Sequence, residues 1–216
     1  MGESEKFKLA NLIDGILIPI ILVILIFVFA VYINVTGLYH VLGEDNVLAV
    51  ILTSGFAQMI VLGIPLILGL LWNKWAGGAA GFIMGGMYYV ASAGEYNGLY
   101  SSMGVTTYNF FGDVSMLFYL VNAVIIGYMA GSLSGGSSNF KRMLGAGLTA
   151  ALVTAVIQAF MNYNVSLEPA RVMAQATWLD IPYAILINFV PSIALGIIVP
   201  ILAKVMTWYG IQPQKH

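Results

Sequence analysis

Six apolar stretches, each long enough to cross a bilayer, are separated by short polar joints. They run from Gly15 to Asn34, Val47 to Trp72, Trp75 to Ala93, Asp113 to Gly131, Met143 to Met161 and Ile181 to Met206. Crossing about 30 Å of hydrocarbon takes roughly 20 helical residues, and only helices or closed barrels satisfy their own backbone groups in lipid. The expected architecture is therefore all-α: one polytopic membrane domain over residues 1–216 with six transmembrane helices. With 8% charged residues, the chain has too little polar surface to face water, since a soluble domain carries about 25%. The first stretch exceeds a signal-peptide core and lacks a small-residue cleavage site, so it reads as an uncleaved helix.

Lys and Arg set the expected orientation. Lys6, Lys8, Lys74, Lys141, Arg142, Lys204 and Lys215 all fall on one side of the six spans, whereas Glu44, Asp45, Glu95, Asp113, Glu168 and Asp180 fall on the other with Arg171. Cytoplasmic loops carry the excess of cations, which places both termini in the cytoplasm of a cell (plasma) membrane and the acidic loops outside. Trp72, Trp75 and Trp208 at the inner interface, and Tyr39, Tyr108 and Trp178 at the outer one, fit the aromatic belts of such a protein. The outward loops Gly94 to Gly112 and Asn162 to Asp180 are longer than the inner joints, as walls or lids of a site would be.

Several chemistries are excluded. The chain has no Cys and only His40 and His216, which leaves no thiolate metal site, no disulfide and no paired haem ligands, so no cofactor is expected. Without a basic block there is nothing to hold nucleic acid. No ionisable residue falls at mid-membrane, where proton- and sodium-coupled carriers or voltage sensors place theirs. No nucleophile and base pair up, so no enzyme is expected.

Uncharged polar residues concentrate instead in the outer halves of the spans. Ser54 and Gln58 mark span two, Tyr88 and Tyr89 end span three, and Ser115, Tyr119 and Asn122 recur at helical spacing in span four. Thr154, Gln158 and Asn162 form an every-fourth-residue stripe in span five, and Asp180, Tyr183, Asn188 and Ser192 open span six. A buried amide in lipid is costly unless paired, so these groups should face the bundle interior. Two readings fit them: hydrogen-bonded glue between helices, or an outward-facing pocket for a small-molecule ligand, with Glu95, Tyr96, Asn97, Trp178 and Asp180 as walls and lid. Aromatic rings beside amides and carboxylates suit a flat or cationic solute, and they equally suit an interfacial belt.

The inner halves carry small residues every fourth position, namely Gly77, Gly81 and Gly85, Gly127 and Gly131, and Ala146 and Ala150, which allow close helix contact within the bundle or with a partner. Pro19, Pro65, Pro191 and Pro200 should kink or loosen their spans.

The six-span layout, the glycine-rich run from Gly77 to Gly86 and the ending from Asn188 to Leu202 resemble the substrate-binding S component of energy-coupling-factor transporters. That resemblance implies uptake of a vitamin, related micronutrient or metal ion bound near the outer face, with energy from a transmembrane coupling subunit and cytoplasmic ATPases. The chain lacks the N-terminal His of nickel- or cobalt-type members. The expected function is a small-solute binding and transport subunit; the alternative is a structural or assembly subunit of a larger membrane complex.

Overall fold

A joint of two residues, Trp72 and Asn73, turns the chain between its first two described helices, and the side chain of Asn73 starts the second. Asn73 Oδ1 accepts from the backbone N–H groups of Trp75 and Ala76, at 2.9 Å each, which satisfies two of the donors a helix start leaves open. The computed structural model describes residues 56–102, 104–105, 108–167 and 181–209. Among these the regular elements are all helical: α1 (Phe56–Leu71), α2 (Lys74–Ser102), a 3-10 turn (Phe110–Gly112), α3 (Val114–Ser134), α4 (Phe140–Asn164) and α5 (Ile181–Trp208). Span one and the start of span two lie outside the described residues.

Among the described residues three segments are long and apolar enough to cross a membrane: α3, α4 and Phe189–Trp208 within α5. The described part of span two, α1, has 16 residues, fewer than a crossing needs. At 29 residues α2 is long enough, but its glycines and tyrosines lower its apolarity. It also runs well past the expected end of span three at Ala93. Gly94, Glu95, Asn97 and Gly98 suggest a loop there, yet the helix continues because Tyr89, Ala93, Tyr96 and Tyr100 share one face and pack together with Phe110, whose side chain is fully buried.

The five helices close a ring in which α1 touches α2 and α5, α3 lies between α2 and α4, and α4 packs on α5, with an α1–α3 contact across the middle. Lipid is as apolar as leucine, so burying apolar surface does little to join such helices; close backbone approach does it instead. Gly69, Gly77 and Gly127 bring α1, α2 and α3 to one point, where a β-carbon on any of them would collide with a neighbouring carbonyl oxygen. A β-carbon on Gly81 would meet the Ala123 carbonyl, and one on Gly85 would lie 2.7 Å from Leu120 Cα. Gly147 similarly accommodates the ring of Pro200, bringing α4 against α5. The small-residue rows are thus used within the bundle.

Charges sort to opposite ends. Lys204 Nζ donates to the Ser138 carbonyl (2.8 Å) in the α3–α4 joint, Arg142 Nε donates to the Leu133 carbonyl (3.2 Å), and Gly131 abuts Lys74, so Lys74, Lys141, Arg142 and Lys204 share one end. α3 stops there on Gly135, whose φ of 56° is left-handed and natural to glycine. At the far end Asp113 caps α3.

Candidate functional site

Each helix contributes to a pocket one to two turns from the Asp113 end. Val61 and Leu62 come from α1, Tyr88 from α2, Tyr119 and Asn122 from α3, Thr154, Ala155 and Gln158 from α4, and Ser192 from α5. The cleft holds ≈ 370 Å³ counted out to open solvent, while its enclosed part has room for about one water molecule. One helical turn toward the basic end, the same helices present Leu66, Met84, Ile126, Ala150, Ala151 and Leu195, all buried, so the pocket stands on an apolar floor.

The polar side of the pocket is a chain of amides. Asn122 Nδ2 donates to Gln158 Oε1 (2.6 Å), and Gln158 Nε2 donates to Asn162 Oδ1 (2.8 Å), one turn further along α4. Asn122 and Gln158 are 3% and 4% exposed, so the α3–α4 bond is made away from bulk water. The chain ends on an open valence: Asn122 Oδ1 is buried and has no hydrogen-bond partner among the described residues. Leaving such an acceptor unpaired costs about 1–3 kcal/mol, which a donor entering the pocket would recover. Thr154 donates its hydroxyl to the carbonyls of Ala150 and Ala151 (3.1 and 2.9 Å), which uses its proton and leaves its lone pairs. Tyr88 and Tyr119 meet edge to face with centroids 5.4 Å apart.

Four of the residues expected at a site therefore come together: Tyr88, Tyr119, Asn122 and Gln158. Asn162 joins them through Gln158 without lining the pocket. Tyr89 and Tyr96 do not; they pack on Phe110, with centroids 5.1 and 5.6 Å away, in the aromatic cluster at the end of the bundle. Asn97 is exposed on α2. Gln58, Tyr183 and Asn188 fall on helical backbone and Glu95 on α2, but their side chains lie outside what is described, and Trp178 and Asp180 lie outside the described residues altogether. The lining adds Thr154 and Ser192, which continue the polar stripes of Gln158 and Asn188, and Val61, Leu62 and Ala155, which no polar pattern could mark.

Asp113 departs from the picture of a solvated outer acid. It is fully buried, and Oδ1 accepts from Ser115 N (2.9 Å) and Ser115 Oγ (2.7 Å) at the start of α3. Oδ2 accepts from Leu167 N (3.0 Å), with Ser166 Oγ and Tyr108 Oη each at 3.4 Å. Donors surround both oxygens and the positive end of the helix dipole lies beneath them, which offsets the cost of burying the group. Its role is to tie the α2–α3 connection and the segment after α4 to the head of α3.

Among the described residues no cluster of His, Asp or Glu could hold a metal. Set beside known proteins, the chain matches no protein-family model, no curated protein and no solved structure.

Proposed function

We propose that this chain is the small-solute binding and uptake subunit of a plasma-membrane transporter, with six spans and cytoplasmic termini, and that a partner supplies the energy. One observation carries the reading: five helices converge on a partly polar pocket lined by Asn122, whose amide oxygen is buried and unpartnered among the described residues, above an apolar floor. Interhelical glue accounts for the Asn122–Gln158–Asn162 chain but not for its open end. The apolar floor lies toward the basic end, which supports a site entered from the acidic end. The resemblance to energy-coupling-factor S components points to a vitamin or related micronutrient as cargo and to a coupling subunit with ATPases as partner.

The alternative of an assembly subunit draws on the small-residue rows. Those rows are occupied inside the bundle, so they offer no free docking face.

Two measurements test the proposal. Protein purified in mild detergent should retain a small molecule, or gain several degrees of melting temperature from some member of a vitamin and metabolite panel. Mild-detergent pull-down should recover ATPase subunits; an empty, unresponsive protein recovered stoichiometrically with non-ATPase subunits would sink the reading.

A further inference from the structure

Resting on the solute-binding reading, we infer that the pocket selects a neutral solute that leads with a compact hydrogen-bond donor, an unsubstituted amide or amine N–H, which Asn122 Oδ1 accepts. The direction follows from the polarity of the amide chain. Asn162 Oδ1 accepts from Gln158 Nε2, which turns Gln158 Oε1 toward Asn122 and draws Asn122 Nδ2 to it. Each amide fixes the next, so the group left at the deep end is an oxygen. Thr154, which also lines the pocket, has spent its proton on α4 and has no donor left to offer a solute. Asn122 lines the pocket with this acceptor unmet among the described residues, so a donor on the solute is the group it selects.

Size and charge narrow the class. The enclosed part takes one water-sized group, which admits an NH2 head and excludes its dimethylated counterpart, while the body of the solute occupies the open remainder of the ≈ 370 Å³ cleft. Among the described residues no carboxylate lines the pocket. A buried cation would have no counter-charge there, and an unpaired ion away from water is disfavoured far more than a neutral amide. The leading group is thus neutral.

Matched probes test this in the full-length protein. Acetamide and N,N-dimethylacetamide share a carbonyl acceptor and differ in the N–H donor, and ligand-observed NMR on the protein in nanodiscs reads the affinity of each. Acetamide should bind at least tenfold more tightly, the loss expected when a buried acceptor goes unmet. Asn122→Leu should erase that preference, whereas Ser132→Leu, in α3 near the basic end, should keep it. If Asn122→Leu fails to fold, the wild-type ratio still decides. Equal affinities, or preference for the dimethyl compound, would mean that the amide chain runs the other way or that Asn122 is not the acceptor; this overturns the inference and leaves solute binding standing. Binding of neither probe, nor of any member of the metabolite panel, removes both. Acetamide held as tightly by Asn122→Leu as by the wild type would overturn the assignment to Asn122.

Discussion

Asp113 and Gln158 each hold two segments together, and each does so from the middle of a hydrogen-bonded set. For Asp113, alanine removes the cap of α3 and strands the N–H of Leu167, which together should cost about 2–4 kcal/mol. Asparagine keeps one oxygen for the cap but turns an NH2 toward a backbone donor, so Asp113→Asn should lose less than Asp113→Ala; equilibrium unfolding in detergent gives the order. In the amide chain, Gln158→Leu strands Asn122 Nδ2 and takes a donor from Asn162, whereas Asn122→Leu also removes the orphan oxygen. Asn122→Leu should therefore change stability by about 1 kcal/mol or less and Gln158→Leu by about 1–3 kcal/mol. Equal melting temperatures for the two variants would show that Gln158 is not the centre of the network.

Among elements, the α2–α3 pair shows how one residue type serves opposite ends. A β-carbon at Gly81 runs into the Ala123 carbonyl, while one at Gly94, later in the same helix, meets nothing within 4 Å. Gly81→Ala should force the helices apart and cost about 2 kcal/mol or more, because the obstacle is backbone and cannot rotate away. Gly94→Ala should instead raise stability by about 0.5–1 kcal/mol, since alanine loses less backbone entropy in a helix. Thermal unfolding of the two variants side by side checks both signs. The every-fourth-residue spacing marked the first row in the sequence; nothing local distinguishes Gly94, whose freedom depends on what α2 faces at that height.

For the whole molecule, the sorting of Lys74, Lys141, Arg142 and Lys204 to one end and Asp113 to the other turns the orientation proposal into an accessibility experiment. A cysteine at Ser101, exposed at the end of α2, should react with a membrane-impermeant thiol reagent in intact cells, and one at Ser137, in the α3–α4 joint, should react only after lysis. The chain has no cysteine of its own to confuse the readout. Reversed labelling would invert the topology and put the pocket on the cytoplasmic side.

Length and spacing of apolar residues determined the helical class and the bounds of the helices α3, α4 and α5 to within a few residues, because lipid-compatible helices must satisfy their own backbone and so write themselves into the local sequence. The same periodicity put Asn122 and Gln158 on inward faces. Only the tertiary structure decided that these two amides bond to each other rather than to backbone, that their chain ends on a free oxygen, and that Tyr89 and Tyr96 belong to the Phe110 cluster and not to the pocket. It also decided that Asp113 is buried rather than solvated. Spacing along one helix fixes which face a residue occupies, but which neighbour meets that face, at what height and with which polarity depends on how α1 to α5 pack, and local sequence does not encode that.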